Sequence, residues 1–488
     1  MQTHDVQTDS APSQRRKWMA LGLLSAVQFM VVLDIAVVNV ALPSIKVDLG
    51  FSQQDLQWVI SAYALVFGGL LLLGGRSADL LGRRRVFLVG LVVFTAASLL
   101  AGLAWSEPSL ITARSLQGLG AAVISPAALS ILSTTFAEGR DRNIALGVWG
   151  AVGGFGAAAG VLLGGVLTDA LSWEWIFFVN VPVGAAAFVA APFLLTESRD
   201  ARVQRFDATG AVLVTGGLSS LVYAITQSGQ YGWLADRTVG FFLVSVALLA
   251  GFVAWELRQS EPLMRFGILR SRTVSGANVA GFILGTALFS MFLMLTLYMQ
   301  QVLGYSAMRT GVGYLAVAGT AILWSTVAAQ LVNRVGIKPV LVVGMVSLTA
   351  GLLFFTRVSV GGSYVGDLLP GFLLTGLGIG FSFVPISIAA LAGVRPAEAG
   401  LASGLFNTSQ QIGGALGIAA LSTIATSRTG DAVASGSALP DALVHGFTGA
   451  FTVGGLIAAL GIVAALTLIR SDELEAVPEV EGELELAA

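Results

Sequence analysis

The sequence predicts an all-α protein that crosses a membrane fourteen times, built as two pseudo-symmetric six-helix bundles with two helices inserted between them. Three observations predict this. The chain of 488 residues is 55% hydrophobic and only 11% charged, whereas soluble chains carry about 25% charged residues. Apolar stretches able to fill a bilayer core, which takes ~20 residues per helix, recur from Trp18 to Arg470. The chain also matches itself at an offset of 254 residues.

Taken in order, the apolar spans lie near 18–40, 57–75, 86–105, 108–132, 143–168, 174–195, 208–226, 238–257, 274–299, 311–332, 339–356, 368–391, 400–425 and 446–469. The first is too long for a cleavable signal peptide and has no small-residue cleavage site within it. Loop charge tests the count, because the loops that stay inside retain Lys and Arg. With both termini in the cytoplasm, the inner segments hold 20 basic residues, beginning with Arg15, Arg16 and Lys17 and then Arg76, Arg83, Arg84 and Arg85. The outer loops hold five: Lys46, Arg237, Arg309, Arg357 and Arg428. One base, Arg114, is left over inside the fourth span. Seven acids and no base follow Ser471, which reads as a solvated tail.

At the offset of 254, Gly82, Val86, Val89, Gly90, Val92, Thr95, Ala96 and Leu99 fall on Gly336, Val340, Val343, Gly344, Val346, Thr349, Ala350 and Leu353. The register drifts to 258 at Gly118-Leu119-Gly120 on Gly376-Leu377-Gly378, and to 257 at Gly147, Gly156 and Gly160 on Gly404, Gly413 and Gly417. Spans 3, 4 and 5 thus correspond to 11, 12 and 13. The expected organisation is a cytoplasmic N-terminus over 1–17 and a six-helix bundle over 18–195. A linker over 196–273 carries the two extra helices, near 208–226 and 238–257, a second bundle covers 274–470, and an acidic cytoplasmic tail covers 471–488. Repeated halves that rock about a midplane site are a transporter architecture.

Absences exclude other functions. Cysteine is missing and the histidines are two, His4 and His445, so neither a disulfide framework nor a histidine metal cluster is expected. The three lysines precede Trp18, Val47 and Pro339, so the Lys-Ser/Thr pair of a P-loop is missing. No enzyme activity, cofactor, metal or nucleic-acid partner is expected, and uphill work would draw on an ion gradient.

Two charges stand inside the spans without a counterpart in the other half, Asp34 and Arg114: Arg114 aligns with Phe372, and no acid occurs from Val274 to Gln301. A charge at membrane depth costs at least ~2.5 kcal/mol on insertion scales and marks a functional site by default. By helix rise both lie about 9–12 Å below the outer surface. An aspartate beside an arginine stays ionised, and one alone in apolar surroundings takes up a proton, so a movement that changes their separation moves a proton. A static ion pair is the alternative reading. Gln28, Asn39, Gln117, Asn180, Asn407, Gln410 and Gln411 are candidates for lining a substrate cavity, with Asn278, Gln300 and Gln301 beside them; each can equally serve helix-to-helix hydrogen bonding. Tyr63 is a further candidate, able to stack on a flat lipophilic substrate, with packing or an interfacial position as the alternative.

Several of these stretches resemble the fourteen-spanner drug:proton antiporters of the major facilitator superfamily. Leu33-Asp34-Ile35-Ala36-Val37-Val38-Asn39-Val40-Ala41-Leu42-Pro43 resembles that family's first-helix motif, and Arg114-Ser115-Leu116-Gln117-Gly118-Leu119-Gly120 its fourth-helix motif. The resemblance implies proton coupling through Asp34, with Arg114 as its partner. Gly75-Arg76-Ser77-Ala78-Asp79-Leu80-Leu81-Gly82-Arg83-Arg84 is similar to the superfamily's loop 2-3 motif, which implies a cytoplasmic gate latch at Gly75, Asp79, Gly82 and Arg83. There the glycines are expected to provide a tight turn and close helix approach. Residues 173–184 and 399–417 are also similar to that family. The fifth-helix motif keeps Gly160, Gly164 and Gly165 but has Val161 where the family has proline.

The expected function is proton-coupled export of lipophilic small molecules such as drugs, antiseptics and antibiotics, by alternating access, from a multi-pass position in the cell membrane and as a monomer. A proton-coupled metabolite importer and a non-transporting channel or receptor remain alternatives at this stage.

Overall fold

A computed structural model describes residues 14–136, 140–199, 207–259, 262–264, 266–392, 394 and 399–470. The expected acidic tail from Ser471 lies outside the described residues, as do residues 1–13 of the N-terminal segment. The described residues form helices, with no strand among them. The first half comprises α1 (Gln14–Leu49), α2 (Trp58–Leu81), α3 (Arg83–Gly102), α4 (Glu107–Thr135), α5 (Arg140–Ala170), the single turn α6 (Trp175–Phe178) and α7 (Asn180–Leu194). The inserted pair is α8 (Ala208–Tyr231) and α9 (Asp236–Glu256). The second half comprises α10 (Arg272–Leu297), α11 (Ala307–Val335), α12 (Ile337–Phe354), α13 (Leu369–Ala389), α14 (Ala399–Ala434) and α15 (Leu439–Leu468). Among the described residues, twelve helices are long and apolar enough to cross a membrane. With α5 (31 residues) and α14 (36 residues), which are also long enough by helix rise, they make fourteen.

Several helix ends differ from the apolar limits. Helix α1 continues nine residues past the expected end near residue 40, through Pro43 to Leu49, and α14 runs to Ala434 rather than 425. Hydropathy finds where a helix leaves the hydrocarbon, whereas the backbone ladder continues until a cap or turn stops it. The stop signals are local. Gly82, Gly232 and Gly336 take φ of 107°, 90° and 86° where α2, α8 and α11 end. Ser271, Ser306 and Asp207 open α10, α11 and α8 by accepting the amides of Val274, Arg309 and Gly210.

The repeat is visible in packing. α1 lies on α5, α2 and α3 on α4, and α3 on α7; in the second half α10 lies on α14, α11 and α12 on α13, and α12 on α15. Gly120 of α4 lies so close to α3 that an added Cβ would stand 2.6 Å from Phe94 N, and Gly378 of α13 stands in the same relation to Leu348 N, also at 2.6 Å. Phe94 and Leu348 are themselves related by the 254-residue offset. Inserted helix α8 packs against both α2 and α14 and so lies along the seam between the halves.

Candidate functional site

The two unmatched charges meet. Asp34 is 0% and Arg114 1% exposed, and Arg114 Nη1 donates to Asp34 Oδ2 at 2.6 Å. The other carboxylate oxygen accepts from Gln117 Nε2 at 3.0 Å and Asn180 Nδ2 at 2.8 Å. Arg114 Nη1 also donates to Gln117 Oε1 at 2.8 Å, and its Nε to Val59 O at 2.9 Å. The guanidinium lies 4.4 Å from the centre of the Tyr63 ring and 5.7 Å from that of Phe177. Arg114 and Gln117 are three residues apart and so share one face of α4; Ser98 of α3 steadies Gln117, accepting from its Nε2 at 2.7 Å.

This arrangement satisfies an ionised aspartate in a place where an unpaired charge would be strongly unfavourable. The three donors come from α4 and α7, so the one carboxylate joins α1 to both helices. At the matching place in the second half, Phe372 is fully buried, with its ring centre 5.5 Å from that of Tyr314 and 5.6 Å from that of Phe355. One half closes on ions and the other on aromatic rings.

Helix α5 leads from this cluster to the other half. A Cβ on Gly160 would lie 2.7 Å from Ala36 Cβ, and one on Gly164 2.7 Å from Val37 O, so α5 is seated on the stretch of α1 that carries Asp34. Gly165 faces the opposite way, where a Cβ would stand 2.6 Å from Ala307 O of α11. Asp169 accepts the amides of Ala307 at 3.2 Å and Met308 at 2.8 Å, at the start of α11. Val161, in the place of the family's proline, continues the helix, and its carbonyl faces Gly311 of α11.

The family model described as Major Facilitator Superfamily matches residues 24–418. The chain belongs to the Major Facilitator Superfamily. Among curated superfamily relatives, the puromycin resistance protein pur8 of Streptomyces alboniger is 42% identical over 478 residues, covering 96% of this chain and 94% of that one. The cephamycin export protein CmcT of Amycolatopsis lactamdurans is 41% identical, covering 84% and 85%. A solved bacterial homologue of the human lysosomal transporter Spinster, inward-facing and unoccupied, shares the fold with a TM-score of 0.66 at 15% identity, covering 94% of this chain and 98% of that one.

Within this superfamily fold, the loop 2-3 motif departs from its expected geometry at one position. Gly75 lies inside α2 in ordinary contact with Pro126 Cβ, 3.4 Å from an added Cβ; the close approach belongs to its neighbour Gly74, where a Cβ would stand 2.0 Å from Ala122 O. The tight turn is at Gly82 alone. Asp79 is held inside its own half, accepting Arg83 Nε at 3.0 Å and Nη2 at 2.9 Å. Sequence reasoning missed Glu197, whose carboxylate accepts the amides of Arg84 at 3.1 Å and Arg85 at 3.2 Å at the start of α3. The available signal was weak: an acid in the polar run that follows α7, 113 positions from Arg84 but on the same expected cytoplasmic side as the three arginines.

Of the residues expected to line a substrate cavity, Tyr63, Gln117 and Asn180 are instead buried in or against the Asp34 cluster. Asn39 and Asn407 turn back to their own helices, donating to Ile35 O at 3.1 Å and Ser403 O at 2.9 Å. Gln28 Oε1 accepts Ser125 Oγ at 3.4 Å. Gln410 and Gln411 lie on α14 where it meets Gly285 of α10 and Gly68 of α2. Amides within a bundle bond across or along helices where lipid gives them no partner. A cavity of about 1110 Å³ opens between the halves at the end where α1 finishes, and Gln300 and Gln301 line it together with Lys46, Gln53 and Gln57. Leu293, Leu297 and Phe447 supply its apolar wall.

Proposed function

We propose that this protein exports lipophilic small molecules across the cell membrane in exchange for protons, by alternating access, with both termini in the cytoplasm and one chain as the working unit. The observation that carries the reading is the fully buried Asp34 carboxylate, bound by Arg114, Gln117 and Asn180 at 2.6, 3.0 and 2.8 Å. It lies in one half of a superfamily chain whose curated relatives include a puromycin resistance protein and a cephamycin export protein. In the ionised state Asp34 holds α1 and α7 to α4. A proton arriving at Asp34 dissolves the pair with Arg114 and lets α1 shift. Helix α5, seated on α1 through Gly160 and Gly164 and on α11 through Gly165 and Asp169, carries that shift to the second half. The cavity of about 1110 Å³ is then the exit side of the path, since the charge rule puts the end where α1 finishes outside.

The test uses everted vesicles with a preformed inside-acid gradient. Puromycin is the first substrate to try, because of the full-length similarity to a puromycin resistance protein. Substrate-dependent collapse of the gradient supports exchange; accumulation of puromycin by whole cells, or no proton flux with any drug in a panel, contradicts it.

A further inference from the structure

A pair of acidic groups lies away from the Asp34 cluster, at the foot of the inserted helices. Asp207 caps α8 and Glu256 closes α9; they are 7% and 2% exposed. Each has one oxygen satisfied by N–H donors. Asp207 Oδ1 accepts Gly210 N at 2.9 Å and Trp255 Nε1 at 2.9 Å, and Glu256 Oε2 accepts Met264 N at 3.1 Å. The remaining oxygens, Asp207 Oδ2 and Glu256 Oε1, are buried without a partner. They converge: a Cβ on Gly210 would stand 2.5 Å from Glu256 Oε1 and 2.8 Å from Asp207 Oδ2. Two ionised carboxylates offer only acceptors to each other, and buried side by side they cannot both stay charged.

We propose that Asp207 and Glu256 form a second proton-binding site, in which a single proton bridges Asp207 Oδ2 and Glu256 Oε1 and fastens the segment that joins the inserted helices to the second half. The bridged proton keeps Glu256 in place, and Glu256 in turn holds Met264, two residues before the short helical turn Phe266–Arg270 that leads into α10. Loss of the proton leaves two facing anions, which repel and free Met264. A cleft of about 410 Å³ lined by Glu256, Met264, Phe266 and Arg270 gives Glu256 a route to bulk protons. Of the charged side chains near this foot, Arg270 lines that cleft and Arg76 of α2 donates to Pro262 O at 3.0 Å. Neither is bonded to the two converging oxygens.

Hydrogen exchange of the full-length protein in lipid nanodiscs, read on peptides containing Met264 and corrected for the intrinsic pH dependence of exchange, tests the proposal. Opening that releases one proton raises the opening equilibrium about tenfold per pH unit once isolated carboxylates are ionised. Protection at Met264 is therefore expected to fall by that factor with each unit. In Glu256→Gln, and independently in Asp207→Asn, an amide N–H replaces the bridging proton, and the slope is expected to vanish while protection remains. A flat wild-type profile, a slope that survives both substitutions, or protection that follows added sodium at constant pH would each overturn the proposal. The readout involves no transport, so it stands or falls separately from Asp34.

Discussion

Replacing Arg114 by Met, which is similar in length and uncharged, removes every polar contact the guanidinium makes while filling much of its volume. Asp34 then keeps only Gln117 and Asn180 as donors, Gln117 Oε1 loses the guanidinium, and Val59 O loses the donor it has beyond its own helix. Removing one member of a buried ion pair costs about 3–5 kcal/mol, chiefly because the other charge is left uncompensated. The second half shows that the position itself does not require ions, since Phe372 fills it at 0% exposure. A double variant, Asp34→Leu with Arg114→Met, is thus expected to recover most of the loss. Unfolding free energy measured by SDS titration in mixed micelles is the assay, run as a double-mutant cycle with each single variant. A single Arg114→Met variant as stable as wild type, or a double variant no more stable than the worse single one, would refute the reasoning that this pair is a mutually dependent buried unit.

Three other outcomes follow from particular contacts. Gly120→Val and Gly378→Val should each cost at least about 1–3 kcal/mol by overpacking, because both positions lie 2.6 Å from a backbone nitrogen of the neighbouring helix by added-Cβ geometry; comparable losses of folded protein on size-exclusion would bear out the repeat. Gly165→Leu should leave the first half's charge cluster intact but push α5 from α11, cutting transport at least tenfold with normal membrane insertion; wild-type efflux in that variant would remove the α5–α11 contact from the cycle. Glu197→Gln weakens the hold on the start of α3 by about 1 kcal/mol or less, given that its arginine partners are partly (Arg84) or largely (Arg85) exposed, and should increase proteolysis near Arg84 without loss of the fold.

Fold class, repeat and the Asp34–Arg114 meeting were legible in the sequence because each left a mark that composition cannot hide. Apolar length fixes a span, loop arginines alternate, and a charge in hydrocarbon with no counterpart in the other half must find a partner. Gly74 and Gly75 both face α4, at Ala122 and Pro126, and the closest approach is at Gly74; adjacent glycines point 100° apart on a helix, and no sequence pattern says which of them meets the backbone. The neutral amides were equally ambiguous. Gln117 and Asn180 read as cavity lining because a carboxamide has the same character wherever it points, and only the packed bundle shows them bound to Asp34. Asp207 and Glu256 escaped notice altogether, 49 positions apart at the margins of two spans, where acids are ordinary.

If Asp34 carries the exchanged proton, Asp34→Asn must uncouple transport, because the amide retains the shape of the carboxylate and removes its charge. In everted vesicles with an inside-acid gradient, the variant is expected to insert normally and retain puromycin binding, with no substrate-dependent proton release. Proton release by Asp34→Asn at the wild-type rate would contradict it.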